Sequence, residues 1–206
     1  MKDNITAPDT RTKIFLVAAR LFATRGYNGV SIREICEDVG VGKPTLYYYF
    51  KDKETLLEEL FKYIFAHLRD LIMDRVEQHP TFYERLWGLI ELRQIFAKQF
   101  PYFIRFFVST NILSLPDNAK KLMVEHINWV HTRMIQFLEE GKKEGIVKKN
   151  LPSNLMVYSI LGGLNQLTML NIVNKNLEYI SNQEAKDVYN FWQQQFFEYD
   201  QMRRKK

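Results

Sequence analysis

Residues 40–60 read GVGKPTLYYYFKDKETLLEEL, and this stretch decides how the first part of the chain folds. A proline in a first turn, followed by leucine and glutamate, is typical of an α-helix. With about 100° per residue, Phe50 falls within about 40° of Leu46, whereas Tyr48 lies about 200° from Leu46. We therefore predict that Leu46 and Phe50 face the core and that Tyr48 points outward.

The outward face of this helix lacks the charges that a merely solvated helix would carry. Lys43 can contact a guanine edge or a phosphate, and the methyl group of Thr45 can contact a thymine methyl. Tyrosine hydroxyls suit phosphate oxygens, although Tyr47 and Tyr49, on the flanks, could instead cover neighbouring helices. The N-terminal end of such a helix enters the major groove, so residues 43–45 are best placed to contact bases.

Two helices are predicted ahead of this one. Apolar residues recur at helical spacing between Thr10 and Arg25, and Gly26 ends that helix. Ser31 and Glu34 have the spacing of a capping box at the start of the second helix, which Gly40 ends. Two short helices joined by a tight glycine-bearing turn, with a third helix ahead of them, form the helix-turn-helix arrangement.

The rest of the chain is also predicted to be helical, so the fold class is all-α, with about nine helices. The later elements are predicted at Lys53 to about Gln78, Phe82 to Gln99, an aromatic segment from Pro101, Asp117 to Glu140-Gly141, about Ser153 to Val173 and Asn182 to Tyr199. We place a domain boundary between residues 52 and 53. The helix-turn-helix domain is then 1–52, and a larger helical domain is 53–206.

The composition is that of an ordinary globular protein, with 46% hydrophobic and 26% charged residues. The net charge is +5, but four of these charges belong to residues 203–206, so net charge alone does not indicate a nucleic-acid partner. Cys36 is the single cysteine and lies on an apolar helix face, so we expect a buried thiol and no disulfide. The N-terminus has no signal-peptide pattern, and we predict a cytoplasmic location.

One segment raises the question of a membrane. No charged residue occurs between Lys149 and Lys175, and this segment is long enough to cross a bilayer. It also contains Asn165, Gln166 and Asn171, whose amides are costly in lipid. We therefore interpret it as a helix that is covered by protein.

Catalytic and metal-binding patterns are absent from the sequence. His126 and His131 are five residues apart and fall on different helix faces, and there is no His-Glu-x-x-His motif, phosphate-cradling glycine loop or nucleophile elbow. We predict that the protein is not an enzyme and binds no cofactor or metal.

Residues 10–60 resemble the DNA-binding domain of the tetracycline-repressor (TetR) family of bacterial regulators. The resemblance runs through ARLFATRGYNGVSIREICEDVGVGKPTLYYYFKDKETLLEEL. It implies a homodimer whose recognition helices bind an inverted-repeat operator in double-stranded DNA. By position, it implies base contacts for Lys43, Pro44 and Thr45. It implies contacts to phosphates or flanking bases for Tyr47, Tyr48 and Tyr49, and contacts to the DNA backbone for Ser31 and Lys53.

The chain departs from the family pattern at two positions. Gly42 stands where a serine is frequent, so a helix cap is missing. Pro44 replaces a frequent glycine and adds an apolar group near the bases. Both departures concern base preference rather than membership of the family.

In the larger domain, the resemblance implies a ligand cavity among the middle helices. A mostly apolar wall with a few polar groups is typical of small-molecule sites, although an aromatic core would look the same. The candidate ligand residues are Phe96, Phe100, Phe103, Phe107, Asn111, His126, Trp129 and Met134. The effector that they would bind is hydrophobic, aromatic or acyl-like.

The resemblance also implies a dimer interface built from the last two helices of each subunit. Gly162 and Gly163 in mid-helix cost about 1 kcal/mol each relative to alanine, which a close approach between subunits would offset. The candidate interface residues, which could also form the core of a single chain, are Met156, Ile160, Gly163, Leu164, Leu167, Phe191 and Trp192.

Together these features predict a transcriptional regulator, in the first place a repressor, that a small effector releases from DNA by shifting the population of dimer conformations. The alternative is a DNA-binding protein that acts without an effector, structurally or through a protein partner. An open cavity in the larger domain would count against that alternative.

Overall fold

The computed structural model describes residues 9–175 and 179–198, leaving aside the side chains of residues 75 and 109. Within these ranges there are nine α-helices, one short 3-10 helix and no strand, which confirms the all-α prediction. The helices are α1 (Thr10–Arg25), α2 (Ile32–Val39), α3 (Lys43–Tyr49), α4 (Lys53–Arg75), α5 (Phe82–Gln99), α6 (Pro101–Ser109), the 3-10 helix (Ile112–Ser114), α7 (Asp117–Lys143), α8 (Ser153–Lys175) and α9 (Asn182–Phe196). Tyr199, the predicted end of the last helix, and the basic residues 203–206 lie outside the described residues.

Local capping chemistry determines where the first helices begin and end. The Asp9 carboxylate accepts a hydrogen bond from the Thr12 amide at the start of α1. Ser31 and Glu34 make both hydrogen bonds of the predicted capping box. Gly40 ends α2 with φ at 78°, a conformation that glycine adopts without the cost of a side chain.

The end of α7 differs from the prediction at Glu140-Gly141. The helix continues through Gly141 to Lys143. A Cβ at Gly141 would lie 2.5 Å from the Phe82 ring and 2.6 Å from Val147, so the position has no room for a side chain. Gly141 therefore serves close packing. Gly145, at φ 71°, is the glycine that follows the end of the helix.

The chain divides into two compact units. The first contains the residues up to Ala66 together with Tyr102–Met123, and the second contains His67–Pro101 and the residues from Val124 onward. The first unit extends beyond the boundary proposed between residues 52 and 53, because the first half of α4 packs on α1. Within that contact, Phe15 and Tyr63 have ring centroids 5.5 Å apart.

The core of the first unit joins α1, α2, α3, the first half of α4 and α6. Leu46 and Phe50 are fully buried in it, as the helical wheel predicts, and Cys36 is buried as well. Phe61 of α4 packs edge-on against Phe103 of α6, with ring centroids 6.1 Å apart. These contacts hold α3 by its inner face and leave its outer face uncovered.

The core of the second unit joins α5, the later part of α7, α8 and α9. Phe82 stacks on Phe137 with ring centroids 4.2 Å apart and meets Phe197 edge-on at 5.5 Å. Phe197, which follows α9, forms an isolated antiparallel bridge with Val147 in the connection between α7 and α8. The end of the described chain is thereby attached to this core.

Candidate nucleic-acid interface and interior cavity

The recognition helix α3 is short and is held from one side. Gly42 is its N-cap residue and makes no side-chain cap, and in the first turn the Thr45 amide donates to the Gly42 carbonyl oxygen at 3.0 Å. Pro44 occupies the first turn, where its missing N–H costs nothing. The helix is therefore stabilised mainly by burial of Leu46 and Phe50 rather than by its own capping.

The outer face of α3 is exposed along its whole length. Lys43, Pro44 and Thr45 are exposed at its N-terminal end. Tyr48 is 82% exposed, and Tyr47 and Tyr49 are 49% and 38% exposed, so none of the three tyrosines is part of the core. Tyr48 and Tyr49 contact each other edge to face at a centroid distance of 5.0 Å. A cation, a methyl group and three phenol hydroxyls thus lie on one free helix surface, a combination suited to base edges and phosphates.

Lys53 has different partners from those that the resemblance implies. Its ammonium donates to the carbonyl oxygens of Tyr27 at 3.0 Å and of Val30 at 2.9 Å, and it lies 4.1 Å from the Tyr27 ring centroid. Burial lowers the pKa of this ammonium. Lys53 therefore joins α4 to the loop before α2, and its contact with the DNA backbone stays a prediction that would use the third N–H of its ammonium.

Ser31 is exposed, but its hydroxyl already has partners. The hydroxyl donates to Glu34 Oε2 at 2.8 Å and accepts from the Glu34 amide at 3.3 Å. Arg25 donates to the other carboxylate oxygen of Glu34 at 2.7 Å. Hydrogen bonds from Ser31, assisted by Arg25, lower the pKa of the Glu34 carboxyl. The start of α2 is thus fixed to the end of α1.

A cavity of about 220 Å³ lies inside the second unit, between the later part of α4, the start of α5 and the middle of α7. Its walls are mostly apolar, and two arginine–glutamate pairs border it. Arg85 pairs with Glu140 at 3.1 Å, and Arg133 pairs with Glu77. The lining residues are Ile72, Val76, Glu77, Arg85, Leu89, Trp129, Val130, Arg133, Met134, Gln136, Phe137 and Glu140.

Two of the eight candidate ligand residues, Trp129 and Met134, line this cavity. Phe96, Phe100 and His126 also belong to the second unit but are not among the lining residues. Burial, together with the charge of Arg69, lowers the pKa of His126 to about 4, so this imidazole is neutral at neutral pH.

The other three candidate ligand residues, Phe103, Phe107 and Asn111, belong to the first unit. Phe103 packs in its aromatic core, and the Asn111 side chain caps the 3-10 helix by accepting from the Leu113 amide. Phe103 and Asn111 therefore have structural partners in their own unit, and their place in a ligand wall stays a prediction. An aromatic cluster in sequence does not distinguish core from cavity.

Sequence reasoning missed most of the cavity wall. On α7, Val130, Met134 and Phe137 recur at helical spacing, a signal that was available but that also fits an ordinary core face. On α5, Arg85 and Leu89 are four residues apart. Which of these faces encloses space depends on how the helices meet, and periodicity does not contain that information.

The predicted dimer residues separate into two groups. Met156, Ile160, Leu164 and Trp192 are buried in the core of their own chain, so we correct their assignment: a partner subunit has no access to them. Gly163 and Phe191 are exposed, and Leu167 is half-buried.

The outward face of α8 is largely apolar. An exposed stripe follows helical spacing through Leu155, Tyr158, Gly162, Gln166, Met169 and Val173. A Cβ at Gly162 or Gly163 would meet none of the described residues within 4 Å, so packing among those residues does not require glycine at either position. Among the described helices, α8 is long and apolar enough to cross a membrane, with 33% of its apolar window buried inside the chain.

The described residues contain no group of three or more His, Cys, Asp or Glu side chains arranged to hold a metal ion. The charged side chains of the first unit are instead used between helices. Arg20 of α1 pairs with Asp38 of α2, and Arg11 of α1 pairs with Glu59 of α4 at 3.2 Å. These contacts position α3 without occupying its outer face.

A three-helix head that buries one face of α3 and exposes the other defines a helix-turn-helix DNA-binding protein. Residues 14–60 match the sequence model of the family described as bacterial regulatory proteins, tetR family. Over these residues the chain carries the DNA-binding domain of the TetR family of transcriptional regulators. Its matched relatives are regulators of transcription, not enzymes.

Two curated relatives and one solved structure illustrate the likeness. The HTH-type transcriptional repressor KstR2 of Mycolicibacterium smegmatis is 26% identical over 165 residues, which cover 73% of this chain and 77% of that protein. The biofilm operon negative regulator IcaR of Staphylococcus aureus is 35% identical over 63 residues, about a third of each chain (31% and 34%). A TetR-family regulator from Agrobacterium tumefaciens shares the fold at a TM-score of 0.76 and 15% identity, covering 92% of this chain and 98% of that one.

Proposed function

We propose that this regulator is a repressor that binds an inverted-repeat operator as a homodimer and leaves DNA when a small apolar effector binds. The observation that carries the proposal is the uncovered outer face of α3, which combines a cation, small apolar groups and hydroxyls. The curated relatives KstR2 and IcaR are themselves named as a repressor and a negative regulator. Because DNA is the partner, we propose a cytoplasmic location.

In this proposal, Lys43, Pro44 and Thr45 contact bases because the N-terminal end of α3 enters the major groove. The hydroxyls of Tyr47, Tyr48 and Tyr49 donate to phosphates. These contacts fix the register and affinity of the protein on the duplex without specifying sequence. The backbone amide of Lys43, which no side-chain cap engages, adds a donor for a phosphate at the helix N-terminus.

The exposed stripe of α8 supports the dimer. A contiguous apolar face on a soluble chain favours protein–protein contact. Gly162 and Gly163 lower the stability of the helix, and no described residue lies within 4 Å of a Cβ at either position. Close approach of a second α8 would explain glycine at these positions. Phe191 of α9 is 56% exposed, so α9 also offers a large aromatic side chain for contact with a partner.

The cavity bounded by α4, α5 and α7 supports an effector. Its apolar walls fit a hydrophobic body, and its presence counts against the alternative of a DNA-binding protein without an effector. A ligand that binds one dimer conformation better than another shifts the equilibrium by that difference in affinity. Recognition helices that no longer match sites about 34 Å apart then lose the operator.

The test is selection of bound DNA from a random pool by the purified protein, followed by affinity measurements on the enriched sequence. We expect an inverted repeat, and we expect Tyr48→Ala to weaken binding while Tyr102→Ala, an exposed tyrosine on α6, leaves it unchanged. Enrichment of a single half-site, or of no sequence, would contradict the proposal that a homodimer binds an inverted-repeat operator. Equal operator affinity with and without a tightly bound effector would contradict release.

A further inference from the structure

Arg93 of α5 is mostly buried and has a neutral partner. Its Nε and Nη2 donate to the hydroxyl oxygen of Thr168 at 3.1 and 2.9 Å. The Thr168 hydroxyl donates onward to the Leu164 carbonyl at 2.8 Å. Among the residues that the structure describes, no carboxylate pairs with this guanidinium. Burial lowers the pKa of Arg93 to about 10, so the side chain still carries its charge at neutral pH.

A second arginine of the same unit, Arg69 of α4, also lacks an acidic partner in the described part of the chain. Its guanidinium lies 5.0 Å from the centroid of the Trp129 ring, and its Nε is buried without a hydrogen-bond partner. The neighbouring His126 is neutral at neutral pH because its pKa is about 4. Arg69 as a residue is half-buried. Charges are rarely buried without a counter-charge, so the mostly buried Arg93, with Arg69 near it in the same unit, favours an anion in this region.

Neither arginine is among the residues that line the cavity, but each lies about one helical turn along its own helix from a lining residue. Arg69 precedes the lining residue Ile72 by three positions, and Arg93 follows the lining residue Leu89 by four positions. One turn of helix is about 5.4 Å. In each case the arginine lies on the side away from the connection between α4 and α5, residues 76–81.

The arginines nearer that connection are already neutralised. Arg85 pairs with Glu140 and Arg133 pairs with Glu77, so this part of the cavity has no net charge. The cavity is therefore balanced in charge near the connection and adjoins unbalanced positive charge in the other direction. A ligand that suits both parts is apolar along its body and negative at one end.

We propose that the cavity takes a small amphipathic carboxylic acid, whose carboxylate binds the guanidinium of Arg93 beside Thr168 and whose apolar body lies against Leu89 and Trp129. This inference rests on the proposed function and specifies the chemical class of its effector. A planar guanidinium matches a carboxylate in shape and in hydrogen-bond donors. A cavity of about 220 Å³ suits an acid of short or medium length.

Calorimetric titration of the purified full-length protein tests the proposal with two acids and their matched alcohols. Octanoate is compared with 1-octanol, and 3-phenylpropionate with 3-phenyl-1-propanol. We expect at least one of the acids to bind at least about 10-fold more tightly than its matched alcohol. A charge-assisted hydrogen bond contributes a binding free energy of this size. The stronger of the two acids identifies a straight-chain or an aryl source. Equal affinity for acid and alcohol, or no binding of either acid, overturns the proposal.

Substitution of Arg93 assigns the preference to this residue. Arg93→Met is expected to abolish the preference for acid over alcohol while the affinity for alcohol stays unchanged, and Arg93→Lys keeps part of the preference. Arg33→Met, which removes an exposed arginine of α2, is the control and leaves the preference intact. Retention of the full preference in Arg93→Met overturns the assignment. The comparison of acid with alcohol on the unsubstituted protein does not depend on how well the variant folds.

Release of operator DNA, measured with the same compounds, separates this inference from the proposed function. Tight binding of acid without release of DNA would contradict the proposal that an effector releases the operator, but it would support the carboxylate-binding site. Release by alcohol and acid at equal occupancy and equal affinity would support effector control and overturn the carboxylate site.

Discussion

The ammonium of Lys53 is bound to Tyr27: it donates to the Tyr27 carbonyl oxygen at 3.0 Å and lies 4.1 Å from the centroid of the Tyr27 ring. Twenty-six residues separate the two in sequence. The contact joins the first turn of α4 to the loop between α1 and α2, and so it braces the head that presents α3. This use of Lys53 leads to a prediction that distinguishes a structural lysine from a DNA-contacting one.

Lys53→Met is expected to destabilise the protein by about 1–2 kcal/mol, because two carbonyl oxygens lose a charged donor. The slope of log affinity against log salt for DNA binding should stay that of the unsubstituted protein. Lys43→Met should show the reverse, with unchanged stability and a salt slope that is smaller by about 1. Urea unfolding and salt titrations of operator binding measure the two effects. A reduced salt slope in folded Lys53→Met would show that Lys53 contacts phosphate after all.

Gly42→Ser is expected to stabilise the protein by roughly 0.5 kcal/mol. At φ −74° a serine fits Gly42 without strain, supplies the missing cap of α3 and restricts the unfolded chain. The nearest atom to the new Cβ is the Pro44 Cδ at 3.4 Å, an ordinary contact. Gly40→Ser, at φ 78°, is the control and should destabilise by about 1 kcal/mol. Thermal unfolding measures the stability of both variants. A destabilised Gly42→Ser would contradict the geometry described for this turn.

Gly162→Leu is expected to weaken the proposed dimer by at least about 10-fold, because a leucine side chain would prevent close approach of two α8 helices. The fold of the single chain should be unaffected, since none of the residues that the structure describes lies within 4 Å of the new Cβ. Sedimentation equilibrium measures the association, and circular dichroism checks the helix content. Lys121→Leu, an exposed position on α7, controls for added apolar surface. A dimer of undiminished affinity would place the interface elsewhere.

Stability should fall in acid through Glu184 at the start of α9. A hydrogen bond from Lys175 lowers the pKa of this carboxyl from 4.5 to about 2, and hydrogen bonds from Ser181 and Asn171 contribute to the shift. Burial has a smaller effect in the opposite direction. A depressed folded-state pKa stabilises above the unfolded-state value, and this contribution is lost as the pH falls from about 4.5 towards 2. After allowance for partial solvent screening, we expect about 1–2 kcal/mol.

The matched variant for this pH effect is Glu184→Gln. Urea unfolding at pH 6 and pH 3 should show a smaller loss of stability in Glu184→Gln than in the unsubstituted protein. Glu37→Gln, at an exposed position on α2, serves as the control. Identical pH dependence of all three proteins would rule out a stabilising role for the Glu184 carboxylate.

Features set by a few neighbouring residues could be predicted from the sequence. The capping box of Ser31 and Glu34, the left-handed Gly40 and the orientation of α3 all follow from local hydrogen bonding and a helical period. The outward direction of Tyr48 needed nothing beyond the burial of Leu46 and Phe50. The candidate DNA-binding face could therefore be written down from the sequence.

Features that depend on distant partners could not be predicted. The ammonium of Lys53 is bound because two carbonyl oxygens of a loop 23 to 26 residues earlier in the chain accept its hydrogen bonds. Segment α8 is apolar on all sides, so its pattern does not say that Ile160 faces its own chain and Gly162 does not. The cavity wall and the unpaired charge of Arg93 likewise arise from the meeting of separate helices.

By itself, the sequence determined an all-α chain, the ends of its first helices and the exposed face of its recognition helix, because these depend on interactions over a few residues. The tertiary structure alone decided which apolar faces close a core, which enclose space and which buried charges lack a partner. The physical reason is that burial and charge compensation depend on every group that surrounds a side chain, and most of those groups come from remote parts of the chain.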